Sequence, residues 1–209
     1  MFYIGLDLGK RLDCSALAIL ERPETARTFD YLHWMPRDPK DKALVVRYLE
    51  RIQLGTPYTQ VVTRLQQVNA RVREKGKCHL VVDATGVGMP VVDMLRAAKL
   101  DCTLTPVLIT SGAEQHLTNG VWYVPKVDLL AGVQSALETG ELRIARRLRE
   151  TARLVEELLN VRVKVKPRSM RIGADGYGQH DDLVLAVALA CWAGRRGEVG
   201  ERNDPFRLQ

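Results

Sequence analysis

No apolar run in this chain approaches the roughly 20 residues that a membrane-spanning helix requires. The first residues lead straight into a strand pattern, without the basic flank and small-residue cleavage site of a secretory signal. A cytoplasmic protein is therefore the default expectation, and no membrane partner is expected. Cysteine is scarce: Cys14, Cys78, Cys102 and Cys191 each lie in an apolar context, and none stand at a zinc-type spacing. That pattern predicts buried free thiols and excludes a cysteine metal knot. No internal repeat is visible. What is present is 209 residues, enough for one domain, with 46% hydrophobic residues to build its core. The net charge of +6 favours a polyanionic partner, nucleic acid first.

One strand is out of pattern. Phe2-Tyr3-Ile4-Gly5-Leu6-Asp7-Leu8-Gly9 is apolar except for Asp7, which stands where a buried strand carries Val or Ile. An unpaired charge there costs several kcal/mol of desolvation, so Asp7 needs a partner. Gly5 and Gly9 lack Cβ atoms and leave room for a close approach, as by a metal ion or a phosphate.

Residues 15–20 form a second apolar run and 28–34 a third strand, which together predict an antiparallel meander. Residues 42–54 have Val45, Val46, Leu49 and Ile52 at helical spacing, and 59–74 have Val61, Leu65, Val68 and Val72. Two helices are expected there, the second with Arg64, Gln67, Arg71 and Arg73 on a solvated face. Cys78-His79-Leu80-Val81-Val82-Asp83 is a strand ending in a carboxylate, followed by the glycine-bearing turn Ala84-Thr85-Gly86-Val87-Gly88, a helix over 89–99 and a strand over 102–110. This is the parallel strand–helix–strand pattern, which puts Asp83 at the sheet edge where open α/β sheets carry their sites.

A polar loop is expected over 111–119, half of a small hairpin over 120–124, a helix over 125–139 ended by Gly140, a short edge strand over 142–144, and a helix over 146–160 with Leu148, Ala152, Val155 and Leu159 inward. Val161-Arg162-Val163-Lys164-Val165-Lys166 alternates strictly, with Arg168 and Arg171 beyond it. It reads either as an edge strand guarded by charge or as a phosphate-tracking strand or hairpin. Gln179-His180-Asp181-Asp182 opens a helix over 183–192 that is apolar on every side and must be buried. The domain is expected to span 1–194, with 195–209 a charged, flexible tail.

Asp7, Asp83, Asp181 and Asp182 are all poorly placed for solitary acids. If they meet without a cation, their repulsion raises at least one pKa. A divalent ion removes the conflict, and Mg²⁺ prefers hard oxygen ligands. Two such ions on a phosphodiester activate a water and stabilise the leaving oxygen, so the predicted chemistry is metal-assisted phosphodiester hydrolysis. Simpler roles compete: Asp181 as a helix N-cap, and Asp83 as a turn residue. His180 reads as a surface or supporting group, and Asp93 and Asp175 as ordinary helix-surface and loop acids, with Asp175 in reserve.

Gly5-Leu6-Asp7-Leu8-Gly9, Val82-Asp83-Ala84-Thr85-Gly86-Val87-Gly88 and His180-Asp181-Asp182-Leu183-Val184 resemble the three acidic motifs of the nuclease domain of phage terminase large subunits. The segment from Gly120 to Leu142 is also similar to that family's stretch between the second and third motifs. The resemblance covers most of residues 1–194. It implies a ribonuclease H-like α/β fold, a mixed sheet of three antiparallel strands followed by parallel strands, flanked by helices. It implies Asp7, Asp83 and one or both of Asp181 and Asp182 as ligands of Mg²⁺ or Mn²⁺, as a pair of ions, with Asp7 bridging them. It implies double-stranded DNA as substrate and cleavage of viral concatemers during genome packaging, in the host cytoplasm. Lys10 and Thr85 would reach the scissile phosphate, and Arg162, Lys164, Lys166, Arg168 and Arg171 would hold the DNA backbone without reading bases. The ATPase motif G-x-x-x-x-G-K-[ST] does not occur in the chain. The chain is thus an excised nuclease domain or a stand-alone relative, with a separate ATPase motor and other packaging proteins as its partners.

Three other readings share parts of the pattern. A structure-selective nuclease of the Holliday-junction-resolvase type would use the same fold as a dimer. An actin- or sugar-kinase-type ATP-binding domain would use Asp7-Leu8-Gly9 and the turn after Asp83 for phosphates, but needs two such domains and leaves Asp181 and Asp182 unexplained. A catalytically inert DNA-binding module would carry the same charge but give the awkward acids nothing to bind.

Overall fold

A computed structural model of the chain describes residues 1–9, 13–23, 43–86, 88–166, 169–174 and 181–200. Its strands are β1 (Phe2–Asp7), β2 (Ser15–Glu21), β3 (Leu44–Ile52), β4 (Cys78–Asp83), β5 (Thr103–Thr110), β6 (His116–Thr118), β7 (Val121–Pro125), β8 (Leu142–Ile144), β9 (Val161–Lys166) and β10 (Ser169–Ala174). Its helices are α1 (Tyr58–Arg73), α2 (Gly88–Ala97), α3 (Lys126–Glu138), α4 (Thr151–Asn160) and α5 (Asp182–Gly200). Eight strands form one sheet in the order β6-β7-β5-β4-β1-β2-β3-β8. β1, β2 and β3 are antiparallel neighbours, whereas β4, β5 and β7 continue from β1 in parallel. Asp7 and Asp83 therefore end two adjacent parallel strands on the same edge of the sheet.

The two faces of the sheet are covered differently. On one, Val61, Leu65, Val68 and Val72 of α1 and Val91, Val92 and Leu95 of α2 cover Phe2, Ile4, Leu6, Leu80 and Val82. On the other, α5 lies directly on the first strands, with every residue from Asp182 to Cys191 buried. A helix apolar on all sides needs neighbours all round; here α3 and α4 close over it. Gly5 is what lets it approach: a Cβ there would collide with the Ala186 carbonyl. The space at Gly5 thus serves a helix rather than a metal ion or phosphate. At Gly9 the close neighbours are the Asp13 and Cys14 carbonyls.

Residues 44–52 are a strand, where the spacing predicts a helix. Leu20 pairs with Val46 and Ile19 with Tyr48, so Arg47 is an inserted bulge residue. The bulge shifts the buried positions from Leu44 and Val46 to Leu49, breaking the period of two and imitating a helical one. The three-stranded antiparallel half is present, with β3 as its third member; the expected strand at 28–34 lies outside the described residues.

A second difference concerns α4. Val155 and Leu159 are 42% and 69% exposed and Ala152 is exposed; only Leu148 of the expected stripe meets the core. The buried residues are Leu154 and Glu157, because α4 is oriented to deliver a carboxylate to α5. Part of the expected polar loop is also a strand: β6 and β7 form a hairpin closed by Asn119 and Gly120, both at positive φ. α5 continues to Gly200, beyond the expected boundary at 194.

β9 is not an edge of the main sheet. It pairs with β10 in a separate antiparallel ribbon, where Lys166 faces Ser169, Lys164 faces Arg171 and Arg162 faces Gly173. Among the described residues, no helix is long and apolar enough to cross a membrane. Cys78 and Cys191 are buried, Cys14 and Cys102 are half-buried, and all four thiols are free.

Candidate metal centre

The sheet edge and the start of α5 set Asp83, Asp181 and Asp182 within electrostatic reach of Asp7. Asp7 is 6% exposed, and among the described residues no hydrogen-bond donor reaches its carboxylate. Its pKa is raised well above the ordinary aspartate value, first by burial and then by the charges of Asp83, Asp182 and Asp181, with Lys126 opposing. All four acids singled out from the sequence thus act on one point.

Each of the other three is held from its own side. Asp83 Oδ1 accepts from Thr85 N at 2.8 Å, the simpler turn role that competes with metal binding, while Thr85 Oγ1 accepts from Ile109 N at 2.9 Å. Thr85 therefore fixes the β4–α2 turn to β5. Asp181 Oδ2 accepts from Lys126 Nζ at 2.6 Å. Asp182 Oδ2 accepts from Arg51 Nη2 at 2.9 Å, with the two side chains 4% and 12% exposed.

Among the described residues, the Leu183 and Val184 amides of α5 are not capped by either aspartate. That role belongs to Glu157 of α4, whose Oε2 accepts from Leu183 N at 2.9 Å and Val184 N at 3.2 Å. Two of the amides that a helix start leaves unpaired are satisfied across a tertiary contact. Burial raises the Glu157 carboxyl to about 7; the Val184 amide opposes this, the Asp182 charge adds to it, and Arg51 and the Leu183 amide oppose it.

Among the described residues, no three His, Cys, Asp or Glu side chains are gathered at metal-ligating distance. Lys126 and Arg51 hold Asp181 and Asp182 in ion pairs, so a metal ion would have to draw them off these partners. The donor chemistry still fits a hard divalent cation: four carboxylates face two cations, and the central acid is buried without a hydrogen bond.

Asp93 is an exposed helix acid paired with Arg96, as the sequence predicts. Lys10, Arg168, Asp175 and His180 lie outside the described residues. Arg162, Lys164, Lys166 and Arg171 belong to β9 and β10, where Lys164 pairs in register with Arg171. Three site residues were not singled out from the sequence. Arg51 was hidden by the helical reading of 42–54, and Glu157 by the stripe assigned to α4. Lys126 had a usable signal, a lysine directly after Pro125 at a helix start, where a cation is unfavourable unless an acid meets it.

No family model matches the chain. Its sequence is 25% identical over 191 residues to the terminase large subunit of Thermus phage G20c, covering 91% of this chain and 31% of that protein. The chain thus spans about a third of the length of the curated relatives it matches. Its fold is similar to the crystal structure of the large terminase nuclease from thermophilic phage G20c with bound magnesium. That likeness has a TM-score of 0.63 and 23% identity, over 92% of this chain and 80% of that one. It is also similar to the large terminase nuclease domain of bacteriophage SPP1 with bound manganese. Here the TM-score is 0.52 at 10% identity, over 97% and 86%. The fold is the ribonuclease H-like one of these nuclease domains, with antiparallel strands followed by parallel strands and helices on both faces.

Proposed function

We propose that the chain is a divalent-metal-dependent DNA endonuclease of the terminase large-subunit type, cutting double-stranded DNA during viral genome packaging. The observation that carries this reading is the convergence of Asp83, Asp181 and Asp182 on a buried Asp7 that has no hydrogen-bond donor. The magnesium and manganese bound by the similar nuclease domains support it.

Asp7, Asp83, Asp182 and Asp181 would hold Mg²⁺ or Mn²⁺, with Asp7 central to a pair of ions. The bound metal supplies water activation and charge neutralisation at the scissile phosphate. The chain's own residues prepare for this. Ionised Asp7 is costly in the metal-free protein, so its carboxylate is a high-affinity ligand once a cation is offered. Arg51 and Lys126 hold Asp182 and Asp181 in place by ion pairs. Glu157 fixes the first turn of α5 and so the position of Asp182. The packed faces of α5 close the inner side of the site to bulk water. A separate ATPase chain and other packaging proteins would deliver the DNA.

The test is cleavage of supercoiled plasmid with Mg²⁺, with Mn²⁺ and with EDTA. Wild type is expected to nick or linearise it with either metal and not with EDTA, and Asp7→Ala to do neither. A folded wild type that cuts nothing with either metal overturns the reading.

A further inference from the structure

Four carboxylates repel the polyanion that such a site would have to hold, so cationic surface must lie beside them. From β8 into α4 the chain reads Arg143-Ile144-Ala145-Arg146-Arg147-Leu148-Arg149-Glu150-Thr151-Ala152-Arg153, five arginines in eleven residues. The segment is a shaped turn. Leu148 packs against the core that surrounds α5. Thr151 Oγ1 donates to the Ala145 carbonyl at 3.0 Å, and Thr151 N to the Leu148 carbonyl at 3.2 Å.

With Leu148 turned inward, Arg146, Arg147 and Arg149 are all exposed. The Arg149 side chain is 93% exposed, and among the described residues its carboxylate contact is Glu150 at 3.8 Å. Among the described residues, Arg146 and Arg147 meet no carboxylate. The turn is tied to the acids through Arg153. Its Nε stands 3.9 Å from Glu157 Oε1, and Glu157 Oε2 accepts from the two amides that follow Asp182. Exposed cations, Arg146 and Arg147 without a carboxylate partner among the described residues, are thus held on a turn that leads into α4, the helix whose Glu157 receives the first amides of α5.

We propose that the turn at 146–149 binds the phosphate backbone of duplex DNA on the α4 side of the acidic site, an inference that rests on the nuclease reading above. Guanidinium groups match phosphate oxygens in pairs. Contacts of this kind position a duplex without reading its sequence.

The experiment measures binding of a short fluorescent duplex as a function of salt, in an Asp7→Asn background that leaves the DNA uncut. It compares the parent with Arg146→Gln/Arg147→Gln/Arg149→Gln. The control is Arg71→Gln/Lys75→Gln/Lys77→Gln, which removes the same charge from exposed positions at the opposite end of the sheet. Losing three phosphate contacts should lower the slope of log affinity against log salt by about 2.7 and weaken binding by roughly tenfold or more near 0.1 M salt. The control should retain the parent slope. Should the triple variant melt below the parent, Arg149→Gln alone replaces it, with an expected slope change of about 0.9. Parent-like binding by the turn variants, or an equal loss in the control, overturns the proposal. Plasmid cleavage by wild type then shows that the nuclease reading survives it. A parent that binds no duplex at any salt overturns the proposal too, and absence of cleavage in the same preparation would remove the nuclease reading with it.

Discussion

The two faces of the central sheet are built by opposite rules. Under α1 and α2, apolar stripes face inward, and the charges stay outside in pairs such as Arg64–Glu50 and Arg73–Asp101. Under α5 the covering helix has no polar flank, and α3 and α4 close over it. Polar groups enter that layer at the start of α5, where Asp7, Asp83, Asp181, Asp182, Arg51, Lys126 and Glu157 meet. One face is a stability device. The other concentrates buried charge at one end of α5, and such charge is tolerable only if something binds it.

Substitutions can break this contrast in either direction. The largest effect is expected from Asp7→Ala, which should abolish metal-dependent cleavage while raising the melting temperature of the metal-free protein, because a buried, unbonded carboxylate is removed. A lower melting temperature in EDTA would show that Asp7 is stabilised by a partner after all. Leu65→Ala on the opposite face should do the reverse. Leu65 is 1% exposed, and its truncation should cost about 2–5 kcal/mol in denaturant melts. Cleavage per folded molecule should not change.

Arg51→Met comes next. It removes the Arg51 guanidinium from buried Asp182, and should destabilise the metal-free protein by about 3 kcal/mol, the low end for a broken buried pair since Arg51 retains some exposure. Millimolar Mg²⁺ should restore part of that loss; equal losses with Mg²⁺ and with EDTA would count against Asp182 as a ligand.

The smallest effect is in pH. Glu157, raised by burial from 4.5 to about 7, holds its proton more tightly in the folded chain than in the unfolded one. Its contribution to stability is therefore full below about 4.5 and is lost as pH rises through about 7. Asp7, also raised, has the same sign. Glu157→Gln keeps an acceptor oxygen for the two amides and cannot ionise. It should flatten the decline seen in metal-free thermal melts between about pH 5 and pH 8; an unaltered decline would assign it to other groups.

The contrast also explains what the sequence made legible. Asp7, Asp83 and the Asp181-Asp182 doublet stood out because each interrupts or abuts an apolar run, and a charge in such a place announces a partner. The parallel half of the sheet was readable for the same reason: Leu80, Val81 and Val82 form a continuous buried run closed by a turn. β3 was not readable, since one bulge at Arg47 gave it a helical spacing. With β3 misassigned, Arg51 could not be placed facing Asp182. Glu157 was hidden because its role depends on how α4 is rotated, and that is set by contacts with α5 rather than by local pattern.

α5 is the last described element along the chain, yet Ala186 touches Gly5 near the very start. During synthesis, one whole side of the first hairpin must wait for some 180 further residues before its cover exists. At roughly 5–20 residues per second, that is an exposure on the order of ten seconds or more at the ribosome. That side of the nascent domain therefore stays exposed until α5 emerges, and the late helix acts as the latch that ends the vulnerable interval.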